Sequence, residues 1–413
     1  MKVKEEKKAS GFIWNMIGGG LVACQSALLM LLAARFYDQE TAGMISISYA
    51  IAILAFTISR FGMRNYQVTD AEGRFPFKCY RNSRYITIAV TMLVVLIYLV
   101  TSICFNKYSL YKSMIVTETV LLRMISSFED VYLGRFQQMG YFAVGAKIMA
   151  IREIVLLGTM CAGIICGFPL LIVLLIGIMV SALVDVFLLR RKGNYLFCNS
   201  EKEVHFGQIG KLLEECFPLC LGTSFAIYVS NIPKYVTDRY LDEMSQAIVG
   251  YLILPVFVIT LLNQFIYTPF IKDLGDLWNE KKYRGFYKKI IFQSIFIIGT
   301  TVIVLASMML IGLPILSWVY VIDLTHYRSE FAAMLVGGAL YALEYYLVIP
   351  LTIIHEQKKL AVSYIISIVI SLICQKGIVT RYGLLGVAYL YIFVNLLLTL
   401  IFGIILFMKR DKA

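Results

Sequence analysis

The segment YITIAVTMLVVLIYLVTSICF, residues 85–105, runs for 21 residues without a charged side chain. A helix needs about 20 such residues to cross the hydrocarbon core of a bilayer. Similar apolar runs recur along the 413-residue chain, in which 60% of residues are hydrophobic and only 15% are charged. A water-soluble domain is typically about half apolar and a quarter charged, so it could not bury that surplus. The sequence therefore predicts an all-α integral membrane protein.

The apolar runs predict about twelve transmembrane helices. The internal similarity and the polar faces described below add the expectation of two pseudo-symmetric six-helix bundles around a central cavity. We predict an N-terminal bundle at 1–190, a cytoplasmic linker at 191–208 and a C-terminal bundle at 209–413. The basic N-terminus has no cleavage motif after the first apolar run, so we expect it to be retained. The predicted spans are 11–34, 42–62, 85–105, 109–130, 141–166, 169–190, 209–233, 246–271, 289–312, 330–353, 360–380 and 384–408.

The positions of Lys and Arg predict the orientation of these spans. With both termini in the cytoplasm, the segments on that side hold 28 of the 38 Lys and Arg residues, and the outer segments hold 8. This bias follows the positive-inside rule, and one missed helix would destroy it. The net charge of +12 lies in short blocks between apolar runs, which argues against a nucleic-acid partner. The lipid bilayer is the expected partner instead.

The chain also contains a short internal similarity. The first span ends in ARFYDQETAG, residues 34–43, and the seventh is followed by DRYLDEMSQA, residues 238–247. Both contain an Arg, an aromatic residue and an Asp at the same spacing, 204 residues apart. Because six helices separate the two copies, the halves would have the same orientation in the membrane.

Polar residues inside the spans are the candidates for function, because such residues usually face the bundle interior or a wet cavity. Arg123 lies deep in the fourth span, where burying a guanidinium costs several kcal/mol unless it is paired or wet. On one face of that span lie Lys112, Thr119, Arg123, Ser126, Ser127 and Asp130. The predicted substrate-binding residues are Arg60, Arg64, Arg123, Lys234, Arg239, Arg35, Asn15, Gln25, Asn231, Asn263, Gln264 and Tyr267. The candidates for ion coupling are Glu118, Asp130, Glu153, Asp238 and Glu344.

Other interpretations of these residues stay open. Small polar residues often serve helix packing, and charges near the ends of spans often lie at the membrane rim. Arg152 and Glu153 fit a structural ion pair. The three histidines are far apart, so no metal site and no cofactor is predicted beyond proton or sodium coupling.

Motifs for catalysis are absent from the sequence. Gly207, Gly210 and Lys211 superficially resemble a phosphate loop, but the spacing is wrong and Leu212 replaces the required Ser or Thr. The predicted outer loops are short, which disfavours a membrane glycosyltransferase or polymerase. We therefore predict that the protein is not an enzyme.

Four segments resemble the polysaccharide, or O-antigen, flippase family of the multidrug/oligosaccharidyl-lipid/polysaccharide exporter (MOP) superfamily. They are FIWNMIGGGL (12–21), AARFYDQETAGMISISYAIA (33–52), ISRFGMRNYQVTD (58–70) and NIPKYVTDRYLDEMSQAIVGYLILPVFVI (231–259). The resemblance implies alternating access in a bacterial cytoplasmic membrane. It implies as substrate an oligosaccharide joined through diphosphate to a polyprenyl lipid, typically undecaprenol. Cavity cations engage the diphosphate in that family, a role that would fall here to Arg60, Arg123, Lys234 and Arg239.

Three alternatives remain at this point. A multidrug cation exporter of the same superfamily should have an acidic cavity, whereas the candidate charges here are mostly basic. A membrane glycosyltransferase or polymerase would form glycosidic bonds. A scaffold for polysaccharide assembly would bind polymerases or glycosyltransferases, which are also expected partners of a flippase. The energy source stays open between a proton gradient, a sodium gradient and mass action.

Overall fold

The computed structural model describes residues 2–70, 73–197 and 206–410, and within these ranges it contains helices and no strands. About 91% of the described residues are helical. The chain divides into two compact units, Met1–Ser224 (unit 1) and Phe225–Ala413 (unit 2). The prediction of an all-α membrane fold is therefore confirmed.

The helices of unit 1 correspond to the first six predicted spans and to the start of the seventh. Asp38 caps the second helix, because its side chain accepts a hydrogen bond from the backbone N–H of Thr41 at 2.6 Å. That helix ends where Phe61 and Gly62 both adopt positive φ, and a short amphipathic helix follows. The helices are α1 (Lys2–Phe36), α2 (Gln39–Arg60), α3 (Met63–Thr69), α4 (Phe77–Cys104), α5 (Leu110–Gln138), α6 (Phe142–Ile165), α7 (Leu170–Phe197) and α8 (Phe206–Ser230).

The first half of α8 packs within unit 1. Leu212 and Cys216 of α8 join Met63, Cys79 and Val131 in one buried apolar cluster. The Cys220 thiol lies 3.9 Å from the backbone carbonyl oxygen of Ile58. The predicted linker falls largely on residues outside the described ranges, so the domain boundaries stay a prediction.

Unit 2 contains the remaining spans, of which the eighth is interrupted. The eighth predicted span is divided at Ile253, just before Pro255 at the start of the next helix. Two short 3₁₀ turns lie at Thr268–Phe270 and Thr325–Tyr327. The helices are α9 (Ile232–Tyr240), α10 (Glu243–Leu252), α11 (Leu254–Tyr267), α12 (Ile271–Asn279), α13 (Tyr283–Tyr320), α14 (Arg328–Ile353) and α15 (Gln357–Arg410).

The last helix, α15, is an antiparallel hairpin of two spans. Gly383 has φ 56° and ψ −133°, which breaks the helix between the eleventh and twelfth predicted spans. The rings of Tyr364 and Phe402 lie 5.7 Å apart, whereas a straight helix would separate these residues by about 57 Å. At the open end Lys409 contacts Glu356 at 3.1 Å. The chain therefore reverses at Gly383, as the sequence predicts.

Ten helical segments of the described chain are long and apolar enough to cross a membrane. α5 is not among them, although its 29 residues would span a bilayer. Its polar face lowers its hydropathy. With α5 added and the α15 hairpin counted as two spans, the described ranges contain the twelve predicted spans.

Candidate functional site

The buried charges of unit 1 gather along α5. Arg123, Glu129 and Asp130 are each at most 4% exposed. All six residues predicted to share one face of this helix are buried in the structure. Since an unpaired ionised group is costly in an apolar interior, the neighbours of these three residues decide what the helix can do.

Three guanidinium groups surround the carboxylate of Asp130, and we call these four residues the arginine cluster. Asp130 lies 3.0 Å from Arg64, 3.1 Å from Arg60 and 3.2 Å from Arg84. With all four groups ionised the cluster has a net charge of +2. Its excess positive charge is suited to an anionic ligand, because Arg binds phosphate through paired hydrogen bonds.

The members of the arginine cluster differ in access. The Arg84 side chain is fully buried and donates to the backbone carbonyl of Ser59 at 2.7 Å, which fixes it in place. The Arg60 and Arg64 side chains are 35% and 23% exposed. Arg64 also lines a small pocket that contains Asn15. Arg60 and Arg64 can therefore reach a ligand, whereas Arg84 holds Asp130.

Arg84 directly precedes the third predicted span and is not among the predicted site residues. In the structure it belongs to the buried face of α4. The signal that could have revealed it is the pair of Ser83 and Thr87 beside it, which are buried on the same helix.

A second group of charges, the acidic cluster, surrounds Arg152. Its guanidinium lies 2.9 Å from Glu129, 2.7 Å from Glu153 and 3.7 Å from Asp185. It also donates a hydrogen bond to Ser126 at 2.8 Å. The predicted Arg152–Glu153 contact is present, while Glu129 and Asp185 were not predicted to take part. With every group ionised the acidic cluster has a net charge of −2.

The acidic cluster lacks enough hydrogen-bond donors for its carboxylates. Among the described residues no donor meets one oxygen of Glu129, one of Glu153 or either oxygen of Asp185. All three side chains are at most 3% exposed. Buried carboxylate oxygens without donors are costly unless they take up protons or a cation.

Arg123 is a third kind of site, a buried cation without an acidic partner. It is 4% exposed, and no carboxylate of the described residues lies within ion-pairing distance. Its guanidinium carbon lies 5.4 Å from the centre of the Tyr49 ring, and Nη2 lies 3.5 Å from the carbonyl oxygen of Val22. The half-buried Glu118, a candidate for ion coupling on the same helix, does not pair with it.

Unpartnered polar groups occur on the two helices that contact Arg123. Gln25, one turn beyond Val22 on α1, is fully buried, and neither polar atom of its side chain has a hydrogen-bond partner in the part of the chain that the structure describes. On α2 the hydroxyls of Ser46 and Tyr49 also have no partner within the described ranges. We call Gln25, Ser46, Tyr49 and Arg123 the Arg123 site. Its groups can bind a polar or anionic ligand, or water.

The predicted residues of unit 2 are more dispersed. The Asn231 side chain donates to the carbonyl of Ile227, and Asn263 contacts the hydroxyls of Thr300 and Thr301. These two amides therefore serve internal packing. Tyr267 is buried beside Tyr346, and Glu344 accepts a hydrogen bond from the Tyr364 hydroxyl.

The other predicted polar residues are more accessible. Lys234 and Asp238 are half-buried, and Gln264 is exposed. Arg239 is exposed and lies over the ring of Tyr240, and Arg35 of unit 1 is also exposed. The structure thus brings Arg60, Arg64 and Asp130 into one cluster, and places Arg123 beside Tyr49 of α2 and Val22 of α1.

No family model and no curated protein matches the chain. Several solved structures do. An inward-facing multidrug resistance MATE family transporter of the MOP superfamily matches with a TM-score of 0.68 and 14% identity, over 94% of both chains. The lipid II flippase MurJ, in an inward closed conformation, matches with a TM-score of 0.68 and 13% identity, over 96% of this chain and 86% of its own.

A MOP superfamily transporter from Pyrococcus furiosus matches with a TM-score of 0.59 and 12% identity, over 99% of this chain and 96% of its own. The MATE and MurJ neighbours have a twelve-helix, two-lobe architecture. The chain therefore has the fold of MOP superfamily transporters. At these identities the likeness concerns the fold alone, and the O-antigen flippase family stays a prediction.

Proposed function

We propose that this protein is a flippase that moves a polyprenyl-diphosphate-linked oligosaccharide from the cytoplasmic to the outer leaflet by alternating access. The observation that carries the proposal is the excess of guanidinium groups in the arginine cluster, together with the unpaired Arg123. A diphosphate that crosses a low-dielectric region needs fixed positive charge along its path. MurJ, a structural neighbour, is itself a lipid flippase.

The roles of the residues follow from their access. Arg60 and Arg64 would contact the diphosphate, since each pairs with Asp130 and still has an exposed part. Arg123 would form a second binding position for the substrate. There the Gln25 amide and the Tyr49 hydroxyl would be available to phosphate or sugar oxygens. Lys234 and Arg239 remain candidates in unit 2. The polyprenyl tail would stay in the lipid bilayer.

Ion coupling would involve the acidic cluster. Glu153, a predicted coupling residue, lies beside Glu129 and Asp185, and this trio has more carboxylates than Arg152 can neutralise. Protonation of two of these carboxylates would balance the charge of the acidic cluster. Asp130 is better suited to holding the arginine cluster. Glu344, Glu118 and Asp238 stay candidates for ion coupling.

The second candidate function is export of a multidrug cation. The acidic cluster favours it, because its net negative charge would attract a cation, and two of the structural neighbours are MATE transporters. The position of the charges argues for the anionic substrate, since the acidic cluster is at most 3% exposed while the arginine cluster is partly open.

A reconstitution experiment separates the two functions. Purified protein in proteoliposomes receives either a fluorescent polyprenyl-diphosphate oligosaccharide or a cationic dye. We expect movement of the lipid-linked glycan, which Arg123→Glu abolishes and Arg328→Glu, at an exposed residue, leaves unchanged. Dye transport without glycan movement would reject the flippase in favour of the exporter. Normal glycan movement by Arg123→Glu would remove Arg123 from the site.

The cellular setting is part of the same proposal. A flippase of this kind would lie in a bacterial cytoplasmic membrane with both termini inside, and polymerases or glycosyltransferases of surface polysaccharide synthesis would be its partners. Glycosyltransferase genes beside this one would support that setting.

A further inference from the structure

The segment that joins α11 to α13 is rich in basic residues. From Lys272 to Lys289 it contains six Lys and Arg residues and three acidic residues. The preceding helical stretch, Glu243–Asn279, is 37 residues long, which is more than a bilayer core requires. We therefore place α12 and the start of α13 at the membrane surface, on the side that the Lys and Arg distribution predicts to be cytoplasmic.

Two of the six basic residues are neutralised by acidic neighbours. Lys289 lies 2.7 Å from Asp273, and Lys282 lies 2.8 Å from Glu280. The remaining four have exposed side chains and no ion-pair partner among the described residues. They are Lys272, Lys281, Arg284 and Lys288. Even with the exposed Asp276 counted, the surface keeps a positive excess.

These charges lie on a folded surface. α12 is amphipathic, with Leu274 buried and Lys272 and Asp276 exposed on the opposite side. The Trp278 ring packs 4.9 Å from that of Tyr283 and 5.2 Å from that of Phe286. Aromatic rings of this kind favour the level of the lipid headgroups. Basic residues alone are enough to set the orientation of a protein in the membrane. The ordered packing of this segment is therefore not explained by orientation.

An apolar stripe continues from the cations along α13. Arg284 and Lys288 are four residues apart and share a face of the helix. Just beyond them Ile291, Phe292 and Ile295 are 54%, 68% and 63% exposed. Lys288 and Ile295 are separated by about 10 Å along the helix axis. This is the spacing of a lipid headgroup above the upper part of its own acyl chain.

We propose that this surface binds an anionic phospholipid of the cytoplasmic leaflet, independently of the transported substrate. Arg284 and Lys288 contact the headgroup phosphate, and Lys272 and Lys281 add to the positive surface around it. An acyl chain lies along Ile291 and Ile295. Groups of four or more cations beside an amphipathic segment favour anionic lipid, and Arg donates paired hydrogen bonds to phosphate.

The test uses the full chain in nanodiscs of mixed phosphatidylcholine and phosphatidylglycerol, and native mass spectrometry of the lipid that stays bound. We expect enrichment of phosphatidylglycerol over the bulk mixture. Arg284→Gln with Lys288→Gln should reduce the enrichment several-fold. The matched control, Lys282→Gln with Lys289→Gln, removes the same charge from ion-paired positions and should keep it. Arg284→Lys with Lys288→Arg should restore it.

Three results would overturn the proposal. Equal loss in the test and control pairs would mean that only overall charge matters. Unchanged enrichment in the test pair would mean that the lipid binds elsewhere. Retention of lipid-linked oligosaccharide in place of phosphatidylglycerol, in protein extracted from cells, would mean that the surface serves the substrate. A C-terminal topology reporter confirms that each variant is inserted in the same orientation.

Discussion

Glu129 and Asp130 are neighbours in α5, yet they belong to clusters of opposite net charge. Asp130 contacts three arginines, and Glu129 contacts the single arginine of a cluster with three carboxylates. Consecutive helical residues point about 100° apart, so one turn of helix serves both clusters. If the charges of the two clusters were paired with each other, the net charges of +2 and −2 would cancel. The structure instead keeps the positive excess in the arginine cluster and the negative excess in the acidic cluster.

This separation predicts opposite effects for two similar substitutions. Asp130→Asn leaves three guanidinium groups without their shared carboxylate and should lower the free energy of unfolding by about 3 kcal/mol. Asp185→Asn removes one of three carboxylates around Arg152. It should lower the free energy of unfolding by less than about 1 kcal/mol, or raise it. Thermal unfolding midpoints of the purified variants in detergent would measure the difference. Equal losses of stability in the two variants would contradict the assignment of a positive excess to the arginine cluster and a negative excess to the acidic cluster.

We predict that the Gln25 side chain lowers the stability of the protein and is needed for transport. Its fully buried amide has no hydrogen-bond partner among the described residues, and such a group costs about 1–3 kcal/mol. Gln25→Leu has a similar volume and should raise the unfolding midpoint while it lowers the rate of glycan movement. Ser48→Ala is the control, because the Ser48 hydroxyl is already satisfied by the carbonyl of Met44. A stabilised Gln25→Leu variant with full transport would exclude the amide from the substrate path.

The spans and the reversal at Gly383 were predictable, because each depends on about 20 consecutive apolar residues or on a local break. The polar face of α5 was also predictable from its helical period. The cluster partners Arg84, Glu129 and Asp185 were not, since helical periodicity in one helix does not reveal which other helix it faces. The short α3 lies in a segment that the sequence shows only as a basic loop.

Packing between α14 and α15 supplies a third prediction. A Cβ atom at Gly337 would lie 2.4 Å from Cδ1 of the Tyr391 ring, and Tyr391 is itself buried. Gly337→Ala should therefore destabilise the protein by about 1–3 kcal/mol through overpacking. Gly377→Ala on α15 meets nothing within 4 Å and should be neutral or stabilising by up to about 1 kcal/mol. Unfolding midpoints of both variants test this. If both variants shift the unfolding midpoint equally, the close contact between Gly337 and Tyr391 does not determine the stability of this packing.

Glu356 joins the two ends of the α15 hairpin, and its contribution to stability should depend on pH. It contacts Lys359 at 3.0 Å and Lys409 at 3.1 Å. The hydrogen bond from Lys359, followed by that from Lys409, holds the pKa of Glu356 below its ordinary value of 4.5. A lowered pKa in the folded state means that the stabilisation is complete well above pH 4.5. It is lost as the pH falls through the lower, folded-state value.

Glu356→Gln removes this interaction at every pH. At pH 7 the variant should be less stable than the wild type by about 0.5–1 kcal/mol, the usual range for partly exposed ion pairs. Once the pH falls below the folded-state pKa of Glu356, the two proteins should converge, because the wild-type carboxyl is then protonated as well. High salt should also narrow the difference at pH 7. Unfolding midpoints across this pH range measure both effects. A difference that persists at low pH would mean that Glu356 acts through packing and not through its charge.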